Sequence, residues 1–254
     1  LSIGRQQAES AVRLLDEDNT IPFIARYRKE VTGGLDDTVL RALEERLRYL
    51  RSLQKRREEV FALIQASGKL NEQQLNQVEV SLQRASLLSE VEDIYRPYKQ
   101  KKKTRASVAR ERGLAPLAEL ISAQQADYEK PLEETAAAYI DEEKGVPTAE
   151  AALAGAMDII AEEISDDADY RRDIRALTFE HAFLSVKNAK DEDSVYSMYY
   201  DYNEKLSVVP SHRILAINRG EKEEFLKVSV DISKDIPLNY LLSRVVTDEK
   251  SPAF

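Results

Sequence analysis

The strongest constraint on this chain is one uninterrupted helical pattern. Asp36 and Asp37 place carboxylates where a helix N-terminus favours them, and the pattern runs from there to Ser67, with Gly68 as its stop. A helix over residues 36–67 is roughly 45 Å long, which suits a strut better than a small globule. Leu40, Leu43, Leu47 and Leu50 form a seam at three- and four-residue spacing. The seam fails at Gln54 and Arg57 and resumes at Phe61 and Ile64. The pattern therefore predicts Leu43, Leu47 and Leu50 buried, and Arg56 and Arg57 exposed.

The rest of the chain carries the same signature. Helix formers dominate, and Gly and Pro number only 8 each in 254 residues. Shorter helices are predicted over residues 3–18, 23–29, 71–84, 87–95, 106–112, 115–124, 128–143, 148–165, 168–186 and 211–219, the last with Gly220 after it. Residues 225–232 differ: Leu226, Val228, Val230 and Ile232 alternate with Lys227, Ser229 and Asp231, the period of a strand. One strand cannot stand alone, so its partner is either residues 206–209 or chain outside this sequence. The expected class is all-α, mainly helical with one long strut helix, and a small β element near residues 225–232. Both ends of the sequence read as cut, so the chain is expected to be a fragment of a larger multidomain protein.

Composition narrows the function classes. Charged residues make up 33% and hydrophobic ones 43%, too much charge for a membrane protein and too much apolar content for a disordered one. There is no Cys, which removes disulfides and thiolate metal sites and fits a reducing, cytoplasmic location. The net charge of −9 hides a split. Residues 1–113 hold 22 basic and 17 acidic side chains, and residues 114–254 hold 15 and 29. The chain is thus expected to divide into a basic helical region, 1–113, and an acidic one, 114–254.

The densest positive feature is the basic loop 96–112, with eight basic residues and one acid, Glu111. Lys and Arg neutralise phosphates, and aromatic rings can stack on bases. Arg96, Tyr98, Lys99, Lys101, Lys102, Lys103, Arg105 and Arg110 are the candidate nucleic-acid contacts. The competing reading is a solvated loop or a clamp for the chain's own acidic half.

Other chemistries find less support. Glu162/Asp166 and Glu163/Asp167 are helical pairs that could hold a divalent cation, but Asp166 or Asp167 is better explained as the cap of the next helix. His181 falls on a stripe with Ile174, Leu177 and Leu184, the pattern of a core histidine, and Ser211-His212 are neighbours that do not face each other on a helix. No catalytic residues, metal site or cofactor are expected. Residues 128–165 resemble a helix-turn-helix pair around Lys144-Gly145-Val146-Pro147-Thr148. The second helix carries Glu150, Asp158, Glu162 and Glu163 and no Lys or Arg, so packing is expected there and not base reading.

Several phrases resemble a known family. Thr20-Ile21-Pro22-Phe23-Ile24-Ala25-Arg26-Tyr27-Arg28-Lys29-Glu30-Val31-Thr32-Gly33-Gly34-Leu35-Asp36 is similar, nearly residue for residue, to the opening hallmark of the Tex-like bacterial transcription accessory proteins. Glu44-Glu45-Arg46-Leu47-Arg48-Tyr49-Leu50, Asp93-Ile94-Tyr95-Arg96-Pro97-Tyr98-Lys99 and Pro210-Ser211-His212-Arg213 resemble further blocks. Gln100 stands where the family often has Pro, and Glu224 where it often has Gly. The resemblance implies a helical front part, followed in the family by an RNase-H-like domain, helix-hairpin-helix modules and a C-terminal OB-fold RNA-binding module. It implies no enzyme activity. The expected function is a scaffold that binds RNA or DNA weakly and without sequence preference. The alternative is a module that docks on RNA polymerase or other transcription components without touching nucleic acid. The fragment is expected to be a monomer, with no membrane partner.

Overall fold

Asp36 caps the long helix as its sequence requires, accepting from the Val39 N–H at 2.8 Å. The computed structural model describes residues 2–99, 103–124, 131–190 and 192–247. Among them it is mainly helical, with one three-stranded antiparallel sheet. Contacts divide the chain into two compact units between Tyr98 and Lys99. The charge divide at Gly113 falls inside the second.

The first unit contains α1 (Arg5–Asp16), α2 (Ile21–Tyr27), α3 (Lys29–Thr32), the 30-residue α4 (Asp37–Ala66), α5 (Glu72–Arg84) and α6 (Leu88–Tyr95). Asn19 closes α1 by donating from Nδ2 to the Leu14 carbonyl at 2.9 Å. Asn71 caps α5 through the Gln74 N–H at 2.9 Å. Two separate cores lie along α4. Leu40 and Leu43 pack with Ala11, Leu14, Ile21 and Ile24, whereas Leu53, Val60 and Ile64 pack with Val78, Leu82 and Val91.

The expected seam is therefore wrong between these cores. Leu47 is half-buried and Leu50 is 44% exposed. At 3.6 residues per turn, Leu53 points about 80° away from Leu43 around the helix axis. Leu47 and Leu50 continue the first stripe to where α1 ends, with Asp16 2.7 Å from Arg51. The second stripe turns to meet α5 and α6. Arg56 and Arg57 face that second contact and are half-buried, contrary to expectation. Arg56 pairs with Glu92 at 2.6 Å and lies over the Tyr95 ring at 5.9 Å. Arg57 donates to the Ala85 carbonyl.

The second unit opens with α7 (Arg105–Glu111), α8 (Ala115–Ala123), α9 (Leu132–Ala137) and α10 (Ala149–Asp166). Small residues dominate their core: Ala106, Ala109, Ala118, Ala136, Ala152 and Ala156 surround Leu114, Leu117, Val146 and Ile159. The helix-turn-helix resemblance weakens here. Residues 125–130 lie outside the described residues, and the helix predicted to reach residue 143 stops at Ala137. The backbone of Asp141 exchanges two 2.8 Å hydrogen bonds with Val146. The Asp141 side chain also accepts from the Lys144 N–H at 3.1 Å, so these groups form a loop in place of a helix.

The helix predicted over residues 168–186 is corrected to α11 (Ala168–His181) followed by β1 (Phe183–Asn188). Asp167 caps α11 through the Tyr170 N–H at 2.8 Å. β1 is the central strand, between β2 (Asp201–Lys205) and β3 (Leu226–Asp231). The predicted strand is thus present, but its partner is neither residues 206–209 nor chain outside the sequence: Val186 stands opposite Val228 and Leu184 opposite Val230. α12 (Ser211–Lys222) covers the inner face with Ile217 and Gly220, and α13 (Asp235–Val245) follows β3. Gly220 lies within α12 and not after it, and it is closely packed there: a Cβ would come within 2.6 Å of Leu226 Cδ1. His181 is exposed at the end of α11, not in a core.

Candidate nucleic-acid interface

The basic run is distributed over both units. Arg96 and Tyr98 end the first in a short 3₁₀ turn after α6. Arg96 is exposed, while Tyr98 is half-buried against the core around Leu53 and Val91. Burial pushes the Tyr98 phenol up from its usual pKa. Lys99 is exposed. Lys101 and Lys102 lie outside the described residues.

Lys103, Arg105 and Arg110 belong to the second unit, and α7 spaces them. Thr104 caps α7 by accepting from the Ser107 N–H at 3.0 Å. Ala106 and Ala109 then turn inward against α10, which leaves Arg105 and Arg110 flanking that contact on either side. Arg110 is held by the acidic run, its guanidinium 2.6 Å from Glu162 and 3.1 Å from Glu163. Burial works to lower its pKa, and hydrogen bonds to the two carboxylates outweigh that and leave it raised. Glu162 also accepts from Thr104 Oγ1 at 3.0 Å. The sequence's competing reading, a clamp on the chain's own acids, thus describes Arg110.

The other cations are looser. Arg105, with an 87% exposed side chain, lies 3.4 Å from Asp158, and Lys103 lies 3.6 Å from Glu111. Exposed pairs of this kind contribute at most about 1 kcal/mol. Lys103, Arg105 and Arg112 line an open groove of about 550 Å³ between α7 and α10, floored by Ala151, Ala154 and Gly155, with Asp158 as its carboxylate. Arg112 was not singled out as a contact from the sequence. The signal was its spacing from Arg105, two helical turns along α7, which puts both on one side.

Among the described residues no three His, Asp or Glu side chains gather where a metal ion could be held. No described helix is long and apolar enough to cross a membrane. The fold and this face define a helix-rich scaffold with an accessible cationic groove.

Known proteins give that scaffold its family. Residues 1–65 match the family model described as the Tex-like protein N-terminal domain, and residues 127–248 match the Tex central region-like model. The chain belongs to the Tex-like family. It is 40% identical to the transcriptional accessory protein Tex of Neisseria gonorrhoeae, over 92% of this chain and 30% of that protein. It is 43% identical to the protein tex of Bordetella pertussis, over 91% of this chain and 29% of that protein. The human S1 RNA-binding domain-containing protein 1 is 34% identical over 89% of this chain and 23% of its own length. The chain thus spans about a third or less of the relatives it matches.

Proposed function

We propose that this chain is the helical scaffold of a Tex-like transcription accessory factor and that it touches RNA or DNA weakly, without sequence preference, through the α7–α10 groove. The observation that carries the reading is the convergence of Lys103, Arg105 and Arg112 on one open groove that has a single carboxylate in its wall. Three exposed cations can neutralise phosphates, and phosphate contacts carry no sequence information. The names of the relatives, a transcriptional accessory protein and an S1 RNA-binding domain protein, support the same class of partner. No catalytic step belongs to this reading, since Glu162 and Glu163 are engaged by Arg110, and Asp167 caps α11.

The test is fluorescence anisotropy of a short labelled RNA and its DNA counterpart at salt of about 50 and 200 mM. Affinity on the order of 10⁻⁴–10⁻⁶ M is expected at physiological salt. Replacing Lys103, Arg105 and Arg112 together by Ala should reduce the log–log salt slope by about 2 and leave the circular dichroism unchanged. Both nucleic acids should remain intact in Mg²⁺. An unaltered slope in the triple variant rejects the groove as the contact.

A second reading, docking on RNA polymerase or another transcription component, draws on α11 and α13. Neither helix contains a buried residue, and Phe179, Leu238 and Leu242 stay exposed. Such docking would respond little to salt and would be lost on Leu238→Asp.

A further inference from the structure

In the first unit, α2 buries one side and presents another that the groove reading does not use. Ile21 and Ile24 are buried, which turns Phe23 and Tyr27, four residues apart on a helix, to a common outer face. Their ring centroids are 5.4 Å apart at 43°. The Arg28 guanidinium sits 5.4 Å from the Phe23 centroid. Phe23 thus neighbours both a cation and a second ring, whereas Tyr27 is 70% exposed. Arg26 and Lys29 flank the rings, both exposed and with no ion-pair partner among the described residues. Across residues 23–30 there are three cations and one acid, Glu30.

We propose that this face is a binding site for single-stranded nucleic acid, with a base stacked on Tyr27 and phosphates on Arg26 and Lys29. The partner follows from what the surface offers. A ring exposed this far has an open π-face, and every base has one to match it. The flanking cations complement a phosphodiester chain, and of the site's residues Lys29 is the type that protein interface cores lack, while Tyr and Arg occur in both kinds of interface. Stacking and phosphate contacts read neither base identity nor the sugar, so RNA and DNA of one sequence bind alike. The first unit supplies every residue of the site, so this proposal stands or falls separately from the α7–α10 groove.

The experiment is anisotropy with a labelled single-stranded oligouridine, the matching oligothymidine, and an abasic strand of the same length. Tyr27→Ala should weaken binding of both base-bearing strands roughly 5- to 100-fold, the equivalent of one lost base stack. Tyr27→Phe should retain it. The abasic strand should bind more weakly and ignore both substitutions. Arg26→Ala with Lys29→Ala should reduce the log–log salt slope by about 1.4, the value for two phosphates of a single strand. The Lys103/Arg105/Arg112 triple variant should keep its sensitivity to Tyr27→Ala, which separates failure of either site from failure of the other. Unchanged binding by Tyr27→Ala overturns the proposal, as does an equal loss with the abasic strand. Polyglutamate bound as tightly as oligouridine, with the same dependence on Tyr27, also overturns it and makes the patch a surface for acidic protein segments.

Discussion

The longest helix of each unit packs by a different rule. α4 fills its contacts with large aliphatic side chains, Leu40, Leu43, Leu53, Val60 and Ile64. α10 fills its own with Ala152, Ala156 and one large residue, Ile159, around Gly155. Large side chains keep a helix at arm's length from its partners and let it change them along its length, as α4 does. Small ones bring backbones close, and α7 and α8 both press onto α10. A Cβ on Gly155 would overlap Leu114 Cδ1 and come within 3.4 Å of the Ala109 Cβ. The contacts of α4 are therefore vulnerable to removing atoms, and those of α10 to adding them.

The largest effect that tests this contrast is truncation on α4. Leu53 is 2% exposed, and Leu53→Ala should cost about 2–5 kcal/mol in denaturant unfolding. Leu50→Ala, three residues earlier and 44% exposed, should cost no more than about 0.5 kcal/mol. Equal costs would restore the straight seam through Leu47 and Leu50. Next in size is enlargement on α10. Gly155→Val forces Leu114, itself buried, out of its rotamer, and overpacking of this kind costs about 1–3 kcal/mol. A substitution that leaves stability unchanged would mean that α8 can withdraw from α10, and the close-packing contrast would fail.

What the sequence revealed follows the range of the interactions involved. The caps at Asp36, Asn71 and Asp167 were readable because each side chain bonds a backbone N–H three residues away. β3 was readable because its alternation is strict. β1 was not, because Leu184 happens to continue the helical stripe of Ile174, Leu177 and His181. Only the pairing with Tyr202 and Val228, distant in sequence, makes it a strand. β2 carries just one apolar residue, Tyr202, so its sequence has no strand signal. The candidate site behaves the same way. Residue type marked the basic run, but the acids that occupy Arg110 and border Arg105 lie on α10, some 50 residues on. The exposure of Tyr27 could not be read at all, since a Phe–Tyr pair at helical spacing is as compatible with a core as with a surface.

The smallest expected effect concerns Glu224, where the sequence departs from its family. Between α12 and β3 this residue has φ +60°, the left-handed region that glycine adopts freely. A side chain there places Cβ against the carbonyl and costs roughly 1–2 kcal/mol. The turn is nonetheless fixed from both sides. The Glu224 N–H donates to the Glu221 carbonyl at 3.0 Å and the Phe225 N–H to the Gly220 carbonyl at 2.9 Å, which sets where β3 begins. Glu224→Gly relieves the strain and returns roughly 0.5–1 kcal/mol of it as chain entropy. The pair lost with Lys190, at 3.7 Å with the Glu224 side chain 83% exposed, contributes almost nothing. A net stabilisation of roughly 0.5–1 kcal/mol should therefore appear in denaturant unfolding. Glu224→Ala is the control, since it removes the ion pair but keeps the Cβ and the strain. A gain confined to Gly assigns the effect to the backbone. An equal gain with Ala would assign it to the carboxylate, in a region already crowded with Glu221 and Glu223, and the packing of the second unit would then owe less to close backbone geometry than α10 suggests.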